Sequence, residues 1–261
     1  MRKADLLLNN YKNPVCSISG GSDSDIMLDL LERVRGGRPL TYVFFDTGIE
    51  YDATKRHLYE IEKSYNIKIE RKHADVPVPA GCMKYGIPFF SKDVSQKIEN
   101  LQHSGFQYED EDYGTLIKRY PKCTSGLKWW CGLKGKYSIS HKMKEFLMSN
   151  PPDFKISDKC CNGAKKNPAK TFYKEIDCCL RIIGERRSEG GIRAQRHRSC
   201  FDPVADGEVP SYRPLFFWTD EDKQQYKDHY GIRYSDCYEL YGMKRTGCAG
   251  CPFNSRFEEA L

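Results

Sequence analysis

Residues 15–24 read Val15-Cys16-Ser17-Ile18-Ser19-Gly20-Gly21-Ser22-Asp23-Ser24, and the fold turns on them. The apolar run Val15–Ser19 has the length and composition of a short buried strand. A helix is expected from Asp23 to Arg35, with Ile26, Met27, Leu30 and Leu31 along its apolar face. Between the two, Ser19, Gly20, Gly21, Ser22, Asp23 and Ser24 make a turn. Its two glycines let the backbone bend tightly and point several N–H groups into one concavity. The positive end of the helix dipole adds to that field, so the turn suits a phosphate or pyrophosphate. It is not a Walker loop, because the Lys and the longer glycine spacing are missing. The alternative for the same residues is a solvated turn in which Ser and Asp cap the helix.

Working outward, Gly36-Gly37 ends the helix, and Leu40–Phe45 reads as a second buried strand ending in Asp46-Thr47-Gly48. A helix is expected from about Asp52 to Tyr65, then a third strand over Ile67–His73. Strand, helix, strand, helix, strand predicts an α/β fold: a doubly wound, mostly parallel sheet flanked by helices. Ligands of such sheets sit at the carboxyl ends of the strands, so Ser19–Ser24 and Asp46–Gly48 are expected to face one crevice. The pattern weakens from Pro77 to Cys131, where Pro77, Pro79, Gly81, Gly86 and Pro88 predict loops. Helices are expected at Ser91–Leu101, Met143–Met148 and Ala169–Glu175, and Glu109–Asp112 as a solvated acidic loop. Cys178–Gly184 reads as a fourth strand leading into an arginine-rich loop, and Thr219-Asp220-Glu221-Asp222 as a helix start.

The 261 residues suffice for a large α/β domain or a domain with an appendage. No apolar run approaches a transmembrane span, and the apolar stretch near Met1 is too short for a secretory signal, so a cytoplasmic location is expected. The net charge of +6 is modest. Its basic residues gather in Arg181–Arg198, which holds Arg186, Arg187, Arg193, Arg196 and Arg198: a solvated basic face or a polyanion site. Twelve cysteines are many for a chain in a reducing compartment, where clustered thiols indicate metal or redox chemistry. Cys160-Cys161 and Cys178-Cys179 are tandem pairs, and Cys248-x-x-Cys251 has ligand spacing. Cys178-Cys179 lies in an apolar strand and reads as core. The scattered Cys16, Cys82, Cys123, Cys131, Cys200 and Cys237 read as core packing. Four thiolates from two pairs can hold a [4Fe–4S] cluster or a structural zinc.

Five motifs, in order between Val15 and Pro252, together resemble one family. Ser19-Gly20-Gly21-Ser22-Asp23-Ser24 resembles the PP-loop of the N-type ATP pyrophosphatases, the adenine nucleotide alpha hydrolase-like superfamily. Phe45-Asp46-Thr47-Gly48, followed by Glu50 and Thr54, is similar to the second-strand motif of the phosphoadenosine phosphosulfate (PAPS) reductases. Gly184-Glu185-Arg186-Arg187-Ser188-Glu189-Gly190-Gly191-Ile192-Arg193-Ala194 resembles their arginine motif. Cys160-Cys161-x-x-Ala164-Lys165-x-x-Pro168 and Gly247-Cys248-x-x-Cys251 resemble the cysteine motifs of the iron–sulfur adenylyl-sulfate reductases.

The resemblance implies a nucleotide site of Ser19, Gly20, Gly21, Ser22, Asp23, Ser24, Asp46, Thr47, Gly48, Arg186, Arg187 and Arg193. It implies a [4Fe–4S] cluster on Cys160, Cys161, Cys248 and Cys251. Asp23, Lys165, Arg186 and Arg187 are the implied catalytic residues. Asp23 either holds Mg²⁺ on the phosphates or caps the helix. The implied organisation is a PP-loop α/β domain over residues 1–218, with a helix and Cys-x-x-Cys segment over residues 219–261 completing the cluster site. Two departures bear on activity. The reductases carry a C-terminal Cys-bearing tail, whereas Arg256–Leu261 has no Cys, and Ala164 stands where the family usually has Arg.

The function expected first is therefore ATP-pyrophosphatase-type activation coupled to sulfur transfer onto a nucleic-acid or small-molecule acceptor. A cysteine desulfurase or thioredoxin-like protein would serve as sulfur or electron donor, and a homodimer is expected. The alternatives are a reductase of PAPS or adenylyl sulfate that releases sulfite, and a non-catalytic nucleotide- or nucleic-acid-binding partner.

Overall fold

A computed structural model describes residues 1–189, 197–203 and 209–253. The chain divides into two compact units. The first takes Met1–Asp75 and Ala164–Gly250; the second takes Val76–Gly163 and, among the described residues, 251–253.

The first unit carries a six-stranded sheet of β1 (Pro14–Ser17), β2 (Thr41–Asp46), β3 (Ile69–His73), β4 (Leu180–Ile183), β5 (Phe201–Asp202) and β6 (Ser211–Tyr212). The order is β3-β2-β1-β4-β6-β5. Every pairing is parallel except β5 with β6. The central strand pairs on both edges, Val15 standing opposite Thr41 on one side and Arg181 on the other. Such a strand has no solvated face, which is why it reads as a continuous apolar run.

In chain order the helices begin with α1 (Arg2–Asn10), α2 (Ser22–Arg35) and α3 (Asp52–Tyr65). Successive strand residues face opposite sides. Cys16 joins Ile26, Met27 and Leu31 of α2 and Leu58 of α3 in one core. Val15 joins Val43 and Phe172 in another. The sheet is thus covered on both faces, as the strand–helix alternation predicts. Gly36 closes α2 in the left-handed conformation.

The second unit holds α4 (Val78–Tyr85), α5 (Lys92–His103), α6 (Tyr113–Arg119), α7 (Thr124–Trp130) and α8 (His141–Ser149). Its core gathers Ile98, Leu101, Leu116, Leu127, Trp129 and Trp130. Phe106 meets the Trp130 ring edge-on at 5.3 Å, and Trp130 Nε1 donates to Glu109 O at 2.8 Å. The expectation of loops across Pro77–Pro88 is corrected here. Pro79 stands in the first turn of α4, where a proline lacks no needed N–H. The acidic run Glu109–Asp112 ends in the N-cap of α6, Asp112 accepting from Thr115 N at 3.1 Å. The chain returns to the first unit through α9 (Asn167–Glu175), α10 (Asp220–Tyr230) and α11 (Asp236–Glu239). Thr219 and Asp222 close a reciprocal capping box at the start of α10.

Candidate functional site

Because β1 and β2 are parallel neighbours, residues 18–24 and 46–48 leave the same sheet edge. Ile18 N still donates to Val43 O at 2.8 Å before the chain turns. Gly20 then takes φ +67°, and a Cβ there would lie 2.7 Å from Thr54 Cγ2. Only glycine satisfies both conditions. The turn is braced from inside: Ser24 Oγ donates to Gly21 O at 2.8 Å, and Gly21 N to Ser19 Oγ at 3.3 Å. Gly21 is the N-cap of α2, and no side chain caps the helix. The capping alternative for Ser22 and Asp23 is therefore not realised. The Tyr238 hydroxyl accepts from the Ser22 backbone N–H. Thr246 lies beside it, its Oγ1 3.0 Å from the Tyr238 hydroxyl.

Asp23 sits between two cations. Arg186 Nε and Lys223 Nζ each stand 3.0 Å from its Oδ1. Arg186 is 5% exposed and also reaches Asp220 at 2.8 Å. Burial works against its charge, but Asp23 and Asp220 outweigh that and raise its pKa. The chain reaches this point from β4 through Gly184, where a Cβ would stand 3.3 Å from the Asp23 backbone. Arg187 is exposed and ties in through its backbone N–H to Phe216 O at 2.8 Å. Arg193 lies outside the described residues.

Lys223 was not foreseen. It shares a helical stripe with Tyr226 and Tyr230. Tyr226 donates to Asp29 Oδ2 at 2.7 Å, and Arg33 stacks on the Tyr230 ring at 3.7 Å. Asp29 also accepts from Arg33 at 2.6 Å and from Tyr65 at 3.0 Å. This buried carboxylate aligns α10 with α2, so that Lys223 Nζ donates to Ser22 Oγ at 3.0 Å. A stripe ending one turn before two tyrosines is the signal that could have found it.

At the end of β2, Asp46 Oδ1 accepts from Gly48 N at 2.9 Å, the contact of a turn former. Thr47 is fully buried and donates to Glu50 Oε1 at 2.8 Å. Lys165 Nζ lies 3.7 Å from that same oxygen, and Cys248 Sγ donates to Thr47 Oγ1 at 3.3 Å. Lys165, Glu50, Thr47 and Cys248 thus meet at one point of the first unit.

Beneath the loop, His57 Nε2 and Asp25 Oδ2 form a buried pair at 2.8 Å. Burial pushes the Asp25 carboxyl above its ordinary range, His57 opposing. Burial would lower the His57 pKa, but the Asp25 hydrogen bond and charge raise it overall.

The second unit gathers thiols. Cys160 is buried and hydrogen-bonds with both Cys161 and Cys82. Cys251 is close enough to act electrostatically on Cys82 and Cys160. The Cys161 contact, burial and the neighbouring sulfurs together push the Cys160 thiol far up. All twelve cysteines are free. Among the described residues no three His, Cys, Asp or Glu side chains stand at metal-binding spacing. Thiols are the donor class that a soft metal or iron–sulfur cluster takes, but their spacing among the described residues is not that of a formed site. Cys178 is buried as expected; Cys179 lies outside β4, half-exposed, and accepts from Asn13 N at 3.0 Å.

Comparison with known proteins bears on the family and the fold. The phosphoadenosine phosphosulfate reductase domain family matches residues 13–133 and 138–254. An uncharacterized protein of Methanocaldococcus jannaschii is 24% identical over 244 residues, 92% of this chain and 36% of that protein. Phosphoadenosine phosphosulfate reductase of Saccharomyces cerevisiae is 28% identical over 116 residues, 44% of this chain and 41% of the enzyme. The chain thus spans well under half the length of these relatives. The crystal structure of PAPS reductase from Candida auris, a phosphate complex, superposes with a TM-score of 0.53. It is 14% identical, with 94% of this chain and 87% of that one covered, which speaks to the fold. No helix among the described residues is long and apolar enough to cross a membrane. With the family match extending over nearly the whole sequence and the loop in place at the β1 edge, this chain belongs to the phosphoadenosine phosphosulfate reductase domain family.

Proposed function

We propose that the chain binds an adenine nucleotide at residues 19–24 and acts at the α-phosphorus of ATP, releasing pyrophosphate and activating an acceptor for sulfur transfer. The observation that carries this is the convergence of Arg186 and Lys223 on Asp23 at the uncapped start of α2. Two cations and a helix N-terminus neutralise a leaving pyrophosphate. Asp23 would share Mg²⁺ with those phosphates through its other carboxylate oxygen, since Arg186 and Lys223 both hold Oδ1. An acceptor oxygen attacking the α-phosphorus would leave AMP on the acceptor and expel pyrophosphate toward Arg186 and Lys223. Lys165 and Glu50, at the end of β2, would orient the acceptor or steady the developing charge. A [4Fe–4S] cluster held by the cysteine thiolates, when bound, would supply electron transfer and a site for inorganic sulfur. Nucleic acid, a sulfur donor of the cysteine desulfurase kind and a second copy of the chain are the partners this reaction would use.

A second reading, reduction of PAPS or adenylyl sulfate to sulfite with a thiol donor, is favoured by the family match itself. One experiment separates them. Metal-loaded protein is incubated with ATP and tRNA or DNA, and in parallel with PAPS or adenylyl sulfate and a dithiol. Pyrophosphate released only with acceptor supports the first reading. Sulfite from the sulfated nucleotides and no pyrophosphate from ATP supports the second and sinks the first.

A further inference from the structure

The second unit carries a surface cleft of about 580 Å³, lined by Asn100 and His103 of α5, Arg119 of α6, Tyr120 and Lys122 after it, and Ser125 of α7. We propose that this cleft binds the phosphate backbone of a nucleic-acid strand. The proposal builds on the nucleic-acid acceptor reading above and names a surface that would hold such an acceptor.

Packing brings the donors together. Helix α7 lies close on α5: a Cβ at Gly126 would stand 3.2 Å from Leu101 Cδ2. Cys123 Sγ donates to Asn100 O at 3.3 Å across the same seam. Ser125 Oγ then accepts from Lys97 Nζ of α5 at 3.4 Å and from Lys134 Nζ, beyond α7, at 3.2 Å. The Lys134 backbone is itself fixed, its N–H donating to Ser138 Oγ at 2.9 Å. Only 12% of the Lys97 side chain is exposed.

Two ammonium groups drawn to one hydroxyl repel each other, and burial makes the unmatched charge costlier. Asp93 stands 3.9 Å from Lys97 Nζ, beyond hydrogen-bond reach. A serine oxygen has two lone pairs; with both taken, its hydrogen is left to donate. The Ser125 corner therefore offers N–H and O–H donors under positive charge, which is what a phosphate oxygen accepts.

The acids of the unit are engaged with other partners. Glu109 and Glu111 pair with Arg119, Asp110 with Lys144, and Glu99 with Lys159 at 2.6 Å. Asp112 caps α6. Arg119 thus enters the cleft already matched, and the charge a ligand meets comes from the lysines. Lys118, Lys122 and Lys128 are exposed and have no ion-pair partner among the described residues. A single phosphate would fill the Ser125 corner and leave Lys122 and His103 unused. A strand lays successive phosphates along the cleft and brings bases to Tyr120, a ring that a free anion does not need.

The test is fluorescence anisotropy of the full chain, without ATP, on a labelled single-stranded oligonucleotide over a series of salt concentrations. Lys122→Gln, Lys134→Gln and the double variant are compared with the wild type and with Lys63→Gln, an exposed lysine on α3 of the first unit. Saturable binding is expected. Each cleft substitution should weaken it about fivefold at about 0.1 M salt and reduce the salt slope by about 0.7, the amount for one lost phosphate contact on a single strand. Lys63→Gln should bind as the wild type does. Cleft variants that bind like this control would overturn the proposal, and so would a wild type that binds no oligonucleotide. Inorganic phosphate or polyglutamate that displaces the label as well as unlabelled oligonucleotide, at matched charge, would replace the strand by a free anion or an acidic chain. Should Lys134→Gln fail to fold, the exposed Lys122 carries the comparison alone. With ATP absent, the result is separate from pyrophosphate release. Binding lost only in the cleft variants, beside no pyrophosphate with any acceptor, would sink the activation reading and keep the cleft.

Discussion

The two compact units differ in how they are specified. In the first, strands of one shared sheet alternate along the chain with the helices that cover it, and those elements carry a periodic signature. Val15 and Cys16 face opposite cores, and α3 begins and ends at the expected Asp52 and Tyr65. In the second, short helices of seven to twelve residues pack around Trp129 and Trp130, and sequence-distant aromatics decide what is helix. Regular alternation specifies a framework locally; an aromatic core specifies one only after the chain has come together.

That contrast can be broken first at its largest stakes. Trp130→Ala removes the ring that meets Phe106 and Tyr108, and an effect of about 3–5 kcal/mol is expected. Calorimetry should show the loss in the second unit while the first keeps binding nucleotide; a single transition lost as a whole would mean the units do not melt separately. In the first unit the matching cost sits at the buried pair. His57→Ala strands Asp25 and should cost about 3–5 kcal/mol.

This pair also sets a pH dependence. The His57 pKa is raised on folding, so its contribution is present below the unfolded value of about 6.5 and fades as pH rises through the folded value. The Asp25 shift, also upward, acts in the same direction. Glu60 lies 3.6 Å from His57 Nδ1 and adds to the rise, while Tyr234 faces Asp25. The melting temperature should therefore fall as pH increases above neutrality, and His57→Phe should flatten that slope. A wild-type slope of the opposite sign would refute the pairing.

Smaller effects sharpen the loop. Arg186→Ala should lower pyrophosphate release about 10²-fold, the usual cost of losing a preorganised donor. Arg187→Ala, whose side chain is exposed, should change stability by less than about 0.5 kcal/mol and activity little. Equal losses would mean the arginine motif acts as a diffuse basic face. Gly20→Ala forces a side chain into φ +67° against Thr54 and should cost about 1–2 kcal/mol, measured by urea titration. Tyr238→Phe removes an acceptor from the Ser22 N–H and should tighten pyrophosphate binding by a factor corresponding to about 1 kcal/mol. Weaker binding would show that Tyr238 holds the ligand rather than the empty loop.

Much of the site was legible because a strand–glycine–helix turn has few physical meanings. The position of the loop at the same sheet edge as Asp46–Gly48 and the approach of Arg186 both follow from parallel neighbours in one sheet. What stayed hidden depends on side chains brought in from afar. Lys223 arrives on a helix aligned by Asp29, with no spacing in the sequence to announce it. The short α4 hid for a related reason: Pro79 and Gly81 signal a loop unless the proline falls in a first turn and the glycine under another backbone.

The central claim is that phosphates bind at the start of α2, between Arg186 and Lys223. The most direct measurement is a titration of isotope-labelled protein with pyrophosphate and Mg²⁺, followed by the backbone amide signals. The account predicts saturable shifts at Gly21, Ser22, Asp23 and Ser24, weakened in Arg186→Ala. Saturable binding that leaves those four amides unmoved would contradict it.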